Sequence, residues 1–265
     1  MVYWSRGSYG KMGAAVLAAR ACMRSGIGLL SCHIPKCGYD SMQTSIPEAM
    51  VMTDIHSSFS TKMEDDLTKY EAIGIGPGTG TEPATKMLLR EIFDAYRHPI
   101  VIDADALNIM ASQKDLLKMI PAGSILTPHP KEFERLFGES LPAGQAANDF
   151  DRIQLALQKA KELNVIIIVK GHHTFIATPD SKGFFNSTGN AGMATGGSGD
   201  VLTGVLTGLL AQQYSSVETA ILGVYLHGLA GDIASEKLSI ESMIAGDIIE
   251  NLGNAFIQIH KNKAP

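Results

Sequence analysis

The sequence predicts an α/β fold on a mostly parallel central sheet, and three observations carry that prediction. Short apolar, β-branched runs recur along the chain, stretches of helical spacing separate them, and the last quarter turns mainly helical. Runs such as "EAIGI" (71–75) and "VIIIVKG" (165–171) stay apolar at consecutive positions instead of alternating, as strands buried on both faces do. Strands separated by helices in this order imply parallel neighbours and a sheet covered on both sides.

The elements follow in order. Lys11 and the segment "MGAAVLAARA" loosely imitate a signal peptide. Arg20 and Arg24 extend the segment at helical spacing, with Ala14, Leu17, Ala18 and Ala21 on another face, so a helix of a cytoplasmic protein is expected. Strands are expected at 27–34, 71–75, 99–103, 123–127 and 165–171, with helices at 82–97, 131–137 and 151–163. "TFIATPD" and "KGFFNST" flank the turn-forming "PDSKG" and read as a hairpin. Helices then cover 199–213, 217–237 and 243–260. There is no internal repeat, charge block or low-complexity linker. The loose stretch 138–148 is too short to divide domains, so residues 1–265 are expected to form a single domain.

Composition limits the function. With 45% apolar and 18% charged residues, the chain is globular. A formal charge of −5 argues against nucleic acid as a partner, although a local pocket for a small anion is compatible with it. No apolar run reaches the roughly 18 residues of a membrane span, so no membrane partner is expected. Cys22, Cys32 and Cys37 are odd in number and lack CxxC spacing, which fits reduced thiols.

Residues 186–211, "NSTGNAGMATGGSGDVLTGVLTGLLA", hold seven of the 27 glycines, five of them ahead of the apolar helical run. Gly196, Gly197 and Gly199 lack Cβ atoms, so the backbone can take positive φ and approach a ligand closely. The unpaired amides and the dipole at such a helix start favour an anion, with Thr195 and Ser198 adding hydroxyl donors. Asp200 in that first turn opposes anion binding by itself. It makes sense as a general base taking a proton from a hydroxyl that attacks phosphorus. The plainer reading is that Asp200 complements the helix dipole and the glycines serve packing.

Three further loops follow expected strands, where open parallel sheets bind ligands. "GIGPGTG" (74–80) is a structural turn or a ligand contact, and it is not a GxGxxG fingerprint. In "VIDADALN" (101–108), Asp103, Asp105 and Asn108 sit where Mg²⁺ or a polar substrate would lie, yet Asp103 or Asp105 equally suits a helix N-cap. In "LTPHPKEFERL" (126–136), two prolines hold the loop of His129, and Glu132 begins a helix where it also suits the dipole. The adjacent His172 and His173 are poorly placed to share a metal, and His227 on an apolar helical pattern reads as a core histidine.

Taken in order with "VKGHHT" and "VYLHGLAGD", these motifs resemble the ADP- or ATP-dependent NAD(P)H-hydrate dehydratases of the ribokinase-like superfamily, over about residues 7–260. The resemblance implies a three-layer α/β/α sandwich and a metabolite-repair reaction, in which a ring hydroxyl is phosphorylated and phosphate is eliminated to restore NADH or NADPH. It implies Asp200 as the base that also meets the substrate, and Gly199 within an anion hole formed by Gly196, Gly197, Ser198 and Gly199. Lys170, Gly171, His172, His173 and Thr174 match the segment that holds the nucleotide. Ala14, Gly78 and His129 match contacts to the hydrated dinucleotide, and Glu132 a carboxylate that organises Mg²⁺ through water. ADP or ATP is the implied co-substrate, ADP in most bacterial members. A homo-oligomer, in relatives often a tetramer, and a separate epimerase for the hydrate are implied as well.

Two departures accompany the resemblance. Lys131 stands where the family often has glycine. The usual lead-in is missing, so the central first strand is expected to be lost or truncated, leaving unpaired edges. The rival readings are a vitamin-precursor kinase of the hydroxymethylpyrimidine or hydroxyethylthiazole type, a non-catalytic nucleotide-binding paralogue, and a dinucleotide-dependent oxidoreductase. The histidine of "TPH" and "NAGMATGG" favour the dehydratase over the kinase, the intact Asp200 loop opposes a decayed paralogue, and no GxGxxG supports the oxidoreductase.

Overall fold

The apolar runs fold as neighbouring strands of one sheet. The computed structural model describes residues 2–5, 7–63, 65–140 and 148–261. Most of the loose stretch 138–148 therefore lies outside the described residues. The strands are β1 (Val2–Ser5), β2 (Leu30–Ile34), β3 (Met50–Thr53), β4 (Ala72–Ile75), β5 (Ile100–Ile102), β6 (Ile125–Leu126), β7 (Ile166–Val169), β8 (Phe175–Ala177) and β9 (Gly183–Phe185). Their spatial order is β3-β2-β1-β4-β5-β6-β7-β8-β9. Every pairing from β3 to β7 is parallel, and β8 and β9 add an antiparallel hairpin at the edge, as the turn residues predict.

Both faces of this sheet are covered, and that explains the unbroken apolar runs. Ile73, Ile75, Ile100, Ile102, Leu126 and Ile167 belong to one core cluster. Their neighbours Ala72, Val101, Ile125, Ile166 and Ile168 belong to another on the opposite face. The helices are α1 (Met12–Arg24), α2 (Tyr39–Ser45), α3 (Pro83–Ala95), α4 (Ala104–Ser112), α5 (Pro130–Phe137), α6 (Asp149–Leu163), α7 (Ser198–Ala211), α8 (Ser216–Leu238) and α9 (Ala245–Lys261). Leu88, Leu107, Phe133 and Ala156 bring α3 to α6 against the first face. Leu202, Leu206 and Val224 bring α7 and α8 against the second. Helix, sheet, helix is the three-layer arrangement. The small residues of α1 permit its close seat on α7: a Cβ on Gly204 would lie 2.2 Å from the Ala18 carbonyl oxygen.

The expected loss of the first strand is corrected. Val2–Ser5 form β1, parallel to β2 on one side and to β4 on the other. Four residues are enough, because both ladders run their full length and Val2 is buried, so β2 and β4 gain partners and the sheet has no interior gap. Three elements lie outside the sequence reading: β3, α2 and α4. β3 is an edge strand of partly exposed side chains and so shows no buried run. α4 starts one residue after Asp103, inside a segment read only as a loop. Among the described residues no helix is long and apolar enough to cross a membrane.

Candidate active site

The loops at the carboxyl ends of β5, β6 and β7 enclose, with the start of α7, a cavity of about 720 Å³. Such ends gather ligands in open parallel sheets because the chain leaves every strand on the same side. The β5 loop contributes Asp103, the β6 loop His129 and Glu132, and the β7 loop Lys170, Gly171, His172 and Thr174. The segment before α7 contributes Thr195 and Gly197, the first turn Ser198, Gly199 and Asp200, and α8 His227. Nearly all residues singled out around phosphoryl transfer thus meet in one place.

The glycines before α7 serve different ends. Gly197 is the N-cap residue with φ 92°, a left-handed conformation that glycine adopts without strain, and a Cβ there would lie 2.4 Å from Leu17 Cδ1. Gly199 has Lys170 beside it, its virtual Cβ 3.3 Å from the Nζ atom. Gly196 has no atom within 4 Å of its own virtual Cβ, and it is not among the cavity residues. No side chain caps α7; the Ser198 amide donates to the Thr195 carbonyl at 3.4 Å, and the helix start with its dipole turns toward an anion at Gly199 in the cavity.

His227 is more than a core histidine. It is buried, lines the cavity, and its Nε2 lies 3.0 Å from the Ser198 carbonyl and 3.4 Å from Ser198 Oγ. A carbonyl only accepts, so Nε2 carries the proton and the ring props the first turn of α7 from below. Burial, opposed by the bond to the Ser198 carbonyl and aided by the Lys170 charge, pushes its pKa down to about 4 from the ordinary 6.5. Between those values the unfolded chain binds a proton that the folded one refuses, so stability falls as pH drops from about 6.5 to about 4. The expected loss is about 3 kcal/mol. Urea midpoints measured across this window should show that slope in the wild type, and His227→Gln should flatten it.

The carboxylates of the β5 loop do not cap α4, although Asp103 occupies the N-cap position. Asp103 is buried and accepts from Lys170 Nζ at 2.7 Å and from Thr203 Oγ1 at 2.7 Å. Asp105 accepts from Lys11 Nζ at 3.2 Å and from the Gly80 amide at 2.9 Å. Long-range pairings thereby take the place of the N-cap reading, while Asp103 does line the cavity. "GIGPGTG" is a tight turn: Gly76, Gly78 and Gly80 all have positive φ.

His129 and Glu132 form a reciprocal cap at the start of α5. His129 Nδ1 accepts from the amides of Lys131 and Glu132, and Glu132 Oε2 accepts from the His129 amide at 2.9 Å. The neutral ring therefore carries its proton on Nε2, 3.4 Å from Glu132 Oε1. Ala14 and Gly78 are not among the cavity residues but adjoin each other, the virtual Cβ of Gly78 lying 3.3 Å from Ala14 Cβ. His173 lies outside the cavity lining as well, exposed beside His172. Among the described residues no three His, Cys, Asp or Glu side chains gather as a metal site.

Fold and cavity together define a ribokinase-like α/β protein with an anion-receptive helix start and an acidic residue beside it. The chain belongs to the NAD(P)H-hydrate dehydratase family, which matches residues 6–254. It is 38% identical over 254 residues to the bifunctional NAD(P)H-hydrate repair enzyme Nnr of Moorella thermoacetica, a match covering 93% of this chain and 47% of that one. With the ADP-dependent (S)-NAD(P)H-hydrate dehydratase of Neisseria meningitidis serogroup B it shares 36% identity over 249 residues, 91% of this chain and 80% of the relative. The crystal structure of ADP/ATP-dependent NAD(P)H-hydrate dehydratase from Bacillus subtilis, co-crystallised with ATP/Mg²⁺, superposes with a TM-score of 0.81 at 29% identity, over 97% of this chain and 91% of that one. The chain spans about half the length of the bifunctional relatives it matches.

Proposed function

We propose that the protein is a nucleotide-dependent dehydratase that returns (S)-NAD(P)H hydrate to NADH or NADPH, with ADP as the favoured co-substrate. One observation carries the reading: Asp200 stands in the uncapped first turn of α7 and lines a cavity of about 720 Å³. The family match supports the reaction, and the ADP-dependent Neisseria relative supports the donor.

The chemistry follows from that placement. Asp200 takes the proton of the ring hydroxyl as its oxygen attacks the terminal phosphorus of the nucleotide. The bond from phosphorus to the bridging oxygen breaks and, with ADP as donor, AMP departs. First-turn amides at Gly199 hold the charge on the transferring group, and Gly196, Gly197 and Ser198 shape the turn. The ring carbon–oxygen bond then breaks with phosphate as leaving group, the ring nitrogen supplying the electron pair, and loss of the neighbouring proton restores the double bond. Lys170 to Thr174 hold the nucleotide, while Ala14, Gly78 and His129 meet the hydrated dinucleotide.

Three carboxylates line the cavity, Asp103, Glu132 and Asp200, without forming a protein cage. That set fits Mg²⁺ held mainly by phosphate oxygens and water, with Glu132 acting through water. When bound, the ion neutralises phosphate charge. The same reading makes the chain cytoplasmic, consistent with three cysteines, an odd count without CxxC spacing. It also makes the chain one domain that assembles with copies of itself. The bifunctional relatives support a link to an epimerase of the hydrate.

The test mixes the protein with hydrated NADH, Mg²⁺ and either ADP or ATP and follows dihydronicotinamide absorbance. Recovery is expected, faster with ADP. A stable phosphate ester formed from another alcohol, with no recovery from the hydrate, would overturn the reading in favour of a kinase.

A further inference from the structure

We infer that Asp103 is a positioning residue, whose buried carboxylate holds the Lys170 ammonium beside the first turn of α7 so that it meets the phosphates of the nucleotide. The inference rests on the reading above that this turn receives the transferring group.

Four observations carry it. Asp103 and Lys170 are 67 residues apart, leaving the ends of β5 and β7, and meet at 2.7 Å with the carboxylate side chain 2% exposed. The carboxylate is locked from the other side: Thr203 Oγ1 donates to Oδ2 at 2.7 Å and lies 3.0 Å from the Gly199 carbonyl, which ties the pair to α7 itself. Asp103 also forgoes its own helix cap, a role that usually stabilises a helix start. Finally, the next residue, Ala104, is held at φ 49° and lines the cavity. A non-glycine residue in that region is strained, and such strain persists where surrounding contacts impose it.

Electrostatics gives the arrangement its purpose. An ammonium at the start of a helix faces the positive end of the dipole and needs a counter-charge to stay there. Asp200, half-buried in the same turn, is a competing partner within the cavity. By engaging Lys170, Asp103 keeps the cation near the turn. An ammonium has three donors and the bond to Asp103 uses one, so the others can reach phosphate oxygens.

The test is a double-mutant cycle read in ADP affinity by calorimetry with Mg²⁺ present, and in turnover of the hydrate. Asp103→Asn keeps the shape and an acceptor for Thr203 but loses the charge. Each of Asp103→Asn and Lys170→Gln is expected to weaken ADP about tenfold, the scale of one charge-assisted hydrogen bond. The double variant is expected to match Lys170→Gln within about twofold, because Asp103 acts through Lys170. Losses that multiply to about 100-fold in the double variant would overturn the inference. So would Asp103→Asn with wild-type ADP affinity and only a lowered urea midpoint, the mark of a purely structural pair, or a wild-type chain that does not bind ADP. If the wild type binds ADP but does not restore dihydronicotinamide, the proposed reaction fails, while the cycle in ADP affinity still decides the role of Asp103.

Discussion

Asp200→Asn is expected to bind ADP as well as the wild type, or better, and to turn over at least ~100-fold more slowly, the usual scale for a lost general base. The two halves of this expectation have separate causes. Asparagine keeps the size and polarity of the side chain, so the uncapped first turn of α7 and its amides stay in place. Removing a carboxylate from the neighbourhood of nucleotide phosphates relieves like-charge repulsion, which cannot weaken binding. Turnover suffers because asparagine has no basic oxygen to take the hydroxyl proton. If Asp200 served only the helix dipole, the same change would cost about 0.3–1 kcal/mol of stability and leave turnover intact. Calorimetry with ADP and the absorbance assay, run on one preparation, separate these cases. Near-normal turnover would remove Asp200 from the mechanism.

The parts of the molecule legible in the sequence were those whose physics is local. Unbroken apolar runs located β2 and β4 to β7, because a strand covered on both faces needs no polar side. The glycine-rich segment before α7 was legible for a similar reason, since a left-handed residue at Gly197 and an uncapped helix start leave a compositional trace. His129 and Glu132 were legible one by one at the start of α5, but the reciprocal cap they form was not read in the sequence. What stayed hidden depends on partners far along the chain. Asp103 reads equally as an N-cap and as a site for Mg²⁺ or a polar substrate until Lys170 and Thr203 arrive beside it. His227 sits among apolar residues of α8 and reads as core until Ser198 is seen beside its ring. β1 has four residues and β3 four at a half-exposed edge, too short for periodicity to register. A family resemblance compensated for distance at Lys170, but it misjudged β1, because the missing lead-in was taken for a missing strand.

The second large effect falls outside the cavity lining. Gly76→Ala is expected to destabilise the protein by about 4 kcal/mol, in the exceptional range for a single substitution. β4 ends at Ile75, and Gly76 turns the chain with φ 127°, in the half of conformational space closed to L side chains without strain. The turn brings it against the backbone of the next strand's loop. A Cβ on Gly76 would sit 1.8 Å from the Asp103 carbonyl oxygen and 2.7 Å from its carbonyl carbon. Backbone cannot swing aside as a side-chain tip can, so either the β4–β5 pairing opens or Asp103 is pushed from its place. Both routes disturb the contact with Lys170, and any folded Gly76→Ala protein should share the weakened ADP binding expected of Asp103→Asn. The matched control is Gly253→Ala in α9, where nothing lies within 4 Å of the added carbon and φ is not positive. There the change should stabilise by about 0.5–1 kcal/mol through helix propensity. Urea denaturation of the two variants should therefore move in opposite directions. A Gly76→Ala midpoint equal to the wild type would show that the β4 turn yields, and that the placement of Asp103 does not depend on it.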